Sequence, residues 1–244
     1  MAKIKAFRAV RPTRDKAYLV ASRSYLSYSE NTLREKLINN PYTFLHIINP
    51  EYSSNSPLLE GVAKYKMVKQ KYDEFTQEGT FIADVEPCLY IYQQITAQKT
   101  YTGIIAASSV DDYINGVIKI HEQTIAKREA MFTNYLEATG FNAEPVLLSY
   151  SKVPRINEIM DKYMQGRPEY EFTSTNKVLH NFWLINKDED IDEVQSLFEG
   201  VESVYIADGH HRSASSALLC KNRRDSLTKV SGEETFNYFM SFLI

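Results

Sequence analysis

Five consecutive residues, Asp208-Gly209-His210-His211-Arg212, place a carboxylate, two imidazoles and a guanidinium around one glycine. They follow the apolar run Val204-Tyr205-Ile206-Ala207 and lead into an Ala-, Ser- and Leu-rich stretch, so the pattern predicts a strand turning directly into a helix. A helix begins with backbone N–H groups that lack intrahelical acceptors and with the positive end of its dipole. Such a corner attracts anions, and phosphate above all when Arg and His flank it. A plain Asp-Gly turn needs no His-His-Arg, and two cationic-capable side chains at a helix start are unfavourable unless an anion offsets them. Arg212 is expected to fork onto phosphate oxygens, with Gly209 part of the same phosphate loop. His210 or His211 would donate to phosphate or carry a proton. Asp208 would hold Mg2+ or orient an imidazole. Ser213 and Ser215 would offer hydroxyls from the first helical turn, or simply pack as small residues.

A second cluster, Lys119, His121, Glu122, Thr124, Lys127 and Glu129, follows the carboxylates Asp111 and Asp112. Read as one helix over 121–139, it puts Lys119, Glu122 and Glu129 near one stripe, with His121 and Thr124 three apart on another. That is either a solvated, salt-bridged face or the second wall of the phosphate site. Glu30 could serve as a general base, although Ser27-Tyr28-Ser29-Glu30 already explains it as a capping box. His46, His180, Trp183 and Cys220 read as packing residues. The run Lys221-Asn222-Arg223-Arg224 reads as a helix C-terminus satisfying its dipole.

The elements that must position these groups are interleaved. Strands are expected at 4–10, 44–48, 88–96, 101–107, 146–150, 170–173, 177–185, 204–207 and 236–244. Helices are expected at 14–21, 30–39, 58–76, 110–116, 121–139, 156–164 and 188–199, with a loop at 51–57. Hairpins at 88–107 and 170–185 make the fold α+β, a mixed α/β chain rather than a purely parallel sheet. The chain divides into 1–150, carrying the Lys119 to Glu129 segment, and 151–244, carrying the phosphate loop, or forms one continuous domain. The closing apolar run from Phe236 to Ile244 resembles a core strand and suggests a truncated gene product.

Composition narrows the function. The 244 residues are 43% hydrophobic and 24% charged, as in an ordinary globular protein. A net charge of −3 leaves no basic excess for holding a nucleic acid. Nine glycines without Gly-x-Gly-x-x-Gly or a Walker A sequence disfavour the glycine-loop nucleotide folds. Two cysteines, Cys88 and Cys220, no membrane-length apolar run and no signal peptide point to a cytoplasmic chain without a membrane partner.

Several segments resemble a widespread bacterial and archaeal family of unknown function that is itself similar to free serine kinases of the ParB/sulfiredoxin superfamily. They include Phe7-Arg8-Ala9-Val10-Arg11-Pro12, Asn40-Pro41-Tyr42-Thr43-Phe44-Leu45-His46, Lys119-Ile120-His121-Glu122-Gln123-Thr124 and Pro145-Val146-Leu147-Leu148-Ser149-Tyr150. Residues 89–93 and 103–106 and the Asp208 motif complete the set. The resemblance implies a ParB/sulfiredoxin-like core with a mixed sheet, hairpins and flanking helices. It also implies a motif loop that grips the phosphates of ADP or ATP with Mg2+ assisting, and a carboxylate near the N-terminus as base. Family members run beyond this length. One position departs: Arg23-Ser24-Tyr25-Leu26 replaces the family's Pro-Pro-Tyr-Asp, so Leu26 stands where the acid belongs, and Glu30 would substitute only with a rearranged loop.

These features point to a phosphoryl-transfer enzyme, a nucleotide-dependent kinase of a small hydroxylated metabolite such as serine. Alternatives are a non-catalytic nucleotide or phosphometabolite sensor and a phosphoserine phosphatase. A ParB-like DNA-binding protein is the weakest reading, because the charge balance opposes it.

Overall fold

A computed structural model describes residues 1–50 and 60–244. The loop expected at 51–57 and the start of the helix expected at 58 lie outside the described residues. In chain order the elements are β1 (Ile4–Lys5), β2 (Val10–Pro12), α1 (Ala17–Val20), α2 (Glu30–Asn39), α3 (Leu45–Ile48) and α4 (Gly61–Gln77). There follow β3 (Phe81–Ala83), β4 (Leu89–Ile95), β5 (Thr100–Ser109), α5 (Val110–Ile114), β6 (Ile118–Lys119), α6 (Ala126–Thr139) and β7 (Val146–Tyr150). The last group is α7 (Pro154–Met164), β8 (Tyr170–Thr173), β9 (Leu179–Ile185), α8 (Asp188–Glu199), β10 (Val204–Asp208), α9 (His210–Ser226) and β11 (Tyr238–Leu243).

The expected α+β class holds. Nine strands form one mixed sheet in the order β6-β10-β7-β11-β5-β4-β9-β8, with β1 paired to β5. The two hairpins β4–β5 and β8–β9 are antiparallel, while β10–β6 and β11–β7 are parallel. The sheet draws strands from both sides of the 150/151 division. β11 lies between β5 and β7, and β4 pairs with β9. Beyond β11 the pairing continues, with Ile244 donating to Leu148 and accepting from Tyr150.

Sheet alternation sorts the side chains. Leu89, Ile91, Ile104, Ala106, Val146, Leu148, Val204 and Ile206 share one face, where α7 and α8 add Ile156, Ile159, Val194 and Phe198 to the main core. The opposite face of β4, β8 and β9 is aromatic, with Phe182 stacked between Tyr90 and Tyr170. The small β2–β3 ribbon is clamped to β8 by Arg11. Its guanidinium reaches Asp84 at 2.8 Å, Glu169 at 3.0 Å and the Tyr170 hydroxyl at 2.6 Å, a paired and hydrogen-bonded buried charge.

Three local expectations are corrected. Within the strand expected at 44–48, Leu45–Ile48 form helix α3 instead. Short apolar runs do not distinguish the two, and here the Thr43 hydroxyl accepts from the Leu45 N–H while Ile47 N–H bonds back to Phe44. The cap of α2 is Ser29, not Ser27: its side chain accepts from Thr32 N–H, and Tyr25–Ser27 is a separate 3-10 turn. The helix expected from residue 121 starts at Ala126, because β6 pairs in parallel with β10 and the chain must first leave the sheet through 120–125. Lys119, His121, Glu122 and Thr124 therefore share no helical stripe.

No helix among the described residues is long and apolar enough to cross a membrane.

Candidate functional site

The strand-to-helix corner is built as its residues suggest. β10 pairs regularly with β7 through Ile206 opposite Leu148, then a bulge puts Asp208 opposite Leu147. The extra residue, Ala207, re-aims Asp208 at the sheet's end, a common use of bulges beside sites. Gly209 then takes φ +99°, and α9 starts at His210 with no side chain capping it. Only glycine suits this position. A Cβ would add left-handed strain and meet the Arg212 guanidinium at 3.2 Å and the Val146 Cα at 3.3 Å. The result is a 17-residue helix in which Arg212 and Ser213 N–H already bond back to the Gly209 carbonyl, which leaves the N–H groups of His210 and His211 at its start with the dipole behind them.

Arg212 lies across that corner. Its Nη2 is 2.6 Å from Asp208 and its Nη1 is 3.4 Å from Glu144, while Nη1 also donates to the Pro145 carbonyl. Two carboxylates and one carbonyl thus hold the cation in place. An incoming phosphate would exchange for these partners with little rearrangement, since the guanidinium offers several donors in a fixed fork.

The His210 side chain is only 6% exposed. The His121 ring meets it edge-on at 4.4 Å, and Glu122 approaches its Nδ1 at 3.7 Å. The loop at 120–125 therefore delivers His121 and Glu122 to the corner, and parallel pairing brings Lys119 opposite Tyr205 on β10. Thr124 turns away, its hydroxyl donating to Glu129 in the first turn of α6. Two imidazole nitrogens, His210 Nε2 and His211 Nδ1, are buried with no hydrogen-bond partner among the described residues. Burial costs such atoms free energy until a partner arrives.

Three residues expected at the site are otherwise engaged. Ser213 is fully buried, and its hydroxyl donates to the His210 carbonyl within its own helix; Ser215 does the same to His211. Of their two readings the geometry favours packing, because a buried hydroxyl with a helix carbonyl in reach turns to it. Glu30 pairs with Arg34 at 2.9 Å on α2. That helix borders a groove over β4 and β9, and four inter-strand steps, about 19 Å, separate β4 from β10. Glu30 is not brought to the corner. Conversely, nothing in the sequence singles out Glu144, whose only signal is its place just before the Pro145 to Tyr150 segment.

His210 also titrates unusually. Burial pushes its pKa down, neighbouring His121 and His211 add to this, and Glu122 and Asp208 oppose it. His46 and His180 are likewise lowered, chiefly by burial. A histidine with a depressed folded pKa contributes stability above the unfolded value. That stability is lost as pH falls from about 6.5 toward the folded pKa, because only the unfolded chain then takes up the proton. Carboxylates lowered by cations, such as Asp190 beside Lys162 and Asp111 beside Arg224, contribute a second loss below about pH 4. Thermal unfolding followed across pH 8 to 3 is expected to show both declines; a flat profile between pH 7 and 5 would contradict the lowered histidines.

A model of the family described as "Protein of unknown function (DUF1015)" matches residues 4–244. No curated protein and no solved structure matches the chain.

Proposed function

The chain belongs to the DUF1015 family of proteins of unknown function, a description that assigns no reaction, and we propose from the corner itself that it is a phosphoryl-transfer enzyme. In this reading it is a nucleotide-dependent kinase of a small hydroxylated metabolite such as serine, working in the cytoplasm. The observation that carries the proposal is the uncapped start of α9, with Arg212 across it and the buried, unpartnered Nε2 of His210 beside it. The likeness to free serine kinases and to the ParB/sulfiredoxin core belongs to the same proposal.

The roles follow from the geometry. The α9 N–H groups and Arg212 would bind the phosphates of ADP or ATP. Asp208, 72% exposed and paired with Arg212 through Oδ2, would share a Mg2+ ion with those phosphates through Oδ1. Among the described residues no group of three or more His, Cys, Asp or Glu side chains could hold a metal ion by itself. Bound there, Mg2+ would supply charge neutralisation on the transferring group. With Leu26 in place of the family acid and Glu30 distant, the substrate proton passes to His210 at Nε2. Glu122, facing Nδ1, favours the tautomer that leaves Nε2 as the acceptor. His121 and Lys119 line the approach.

Phosphorus-31 NMR of the protein with Mg2+, serine and either ATP or ADP tests this. The proposal expects phosphoserine to form and His210→Gln to abolish it while nucleotide still binds. Leu26 favours a second reading, a nucleotide or phosphometabolite sensor, which predicts binding without turnover. Phosphate release from phosphoserine would instead mark a phosphatase.

A further inference from the structure

A cavity of about 620 Å3 lies between α1–α2 and the aromatic face of β4, β8 and β9, remote from the α9 corner. Its size falls in the usual range for small-molecule sites. Two cations stand at its rim. Arg23 and Lys36 lie over the Tyr28 ring at 4.9 and 5.1 Å, and neither is ion-paired among the described residues. Among those residues Glu35 is the one carboxylate in the lining. Most arginines elsewhere, including Arg11, Arg14, Arg155, Arg212 and Arg224, are committed to carboxylates.

The floor is different in kind. The Tyr92 hydroxyl is 2.7 Å from His180 Nδ1, His180 Nε2 is 2.9 Å from the Ser174 hydroxyl, and Gln94 donates to Tyr92 at 3.0 Å. This chain of hydroxyls and imidazole links β4 and β9 to the turn that follows β8 and holds its members in fixed positions. Phe172 lies nearly parallel to the His180 ring at 5.1 Å between centroids, while Tyr92 meets the Nδ1 edge of that ring. Both imidazole nitrogens are engaged, so what the floor offers a ligand is the remaining lone pairs of the Tyr92 and Ser174 hydroxyls, which suit the O–H donors of a hydroxyl-rich ring.

We propose that this groove is a binding site for a sugar phosphate, with the phosphate against the Arg23 and Lys36 rim and the sugar hydroxyls on the Tyr92 and Ser174 hydroxyls of the floor. The rim supplies charge-assisted bonds to an anion, and the floor supplies neutral donors and acceptors in fixed positions. Four strand steps from the α9 corner, it is a separate site from the one proposed for phosphoryl transfer, and neither depends on the other.

Calorimetric titration with ribose 5-phosphate, ribose and inorganic phosphate separates the possibilities. Ribose 5-phosphate is expected to bind the wild type and Arg212→Ala equally, and more tightly than either half alone. It is expected to weaken about tenfold or more in Arg23→Ala/Lys36→Ala and several-fold in Tyr92→Phe. No saturable binding overturns the proposal. So does binding that ignores the rim and floor variants, or that is lost in Arg212→Ala, which would put the ligand at the corner.

Discussion

Gly209→Ala is expected to destabilise the protein by about 2–3 kcal/mol, lowering its melting temperature by roughly 5–10 °C, and to disable the corner. Two effects add. The first is backbone strain, because φ +99° suits no L side chain. The second is crowding, because the new Cβ would press on the Arg212 guanidinium at 3.2 Å and on the β7 backbone at 3.3 Å. Arg212 can yield, but only by leaving Asp208, and the β7 backbone is fixed by its ladder to β11. Gly116→Ala is the control. Gly116 has φ +73° with nothing within 4 Å of the position a methyl group would take, so it carries the strain alone, about 1 kcal/mol. Equal losses at the two positions, measured by denaturant unfolding, would show that close approach at the corner costs nothing.

Arg212→Ala is expected to leave the fold intact and to weaken ADP binding about ten- to a hundredfold. The side chain is 26% exposed and its ion pairs lie at the surface, where such pairs contribute little to stability. Its effect on an anion is larger for two reasons. The bidentate donor is lost, and Asp208 and Glu144 lose the cation that neutralises them and so face the ligand uncompensated. Arg212→Lys keeps the charge but not the fork, and should fall between the two. Calorimetry on the three proteins gives the order directly.

Much of this was legible in the sequence because local pattern and tertiary role agree there. The apolar run before Asp208, the Gly, and the small-residue stretch after it specify strand, left-handed link and helix in one short segment. The acidic start of α8 and the Gly140 end of α6 carried similarly local signals. The failures were nonlocal. Nothing within 120–125 says that Ile118 and Lys119 pair with β10, yet that pairing holds His121 and Glu122 out of a helix and against His210. The three apolar residues of α3 fit either period, and its contacts with α4 decided it. The Arg212 partners come from Glu144 and Pro145, some 67 residues away, and the Tyr92–His180–Ser174 floor comes from strands paired across two hairpins. Such contacts are set by sheet order, which residue spacing does not encode.

Every role assigned to the phosphoryl-transfer site depends on the start of α9 being an anion site, and amide NMR observes that place itself. In a proton–nitrogen correlation titration with Mg2+ and ADP, the largest saturable shifts are predicted at the backbone N–H groups of Gly209, His210, His211 and Arg212, with smaller ones at His121 and Glu122. Saturable shifts that leave Gly209 to Arg212 unmoved, or no saturable shifts at all, would contradict it.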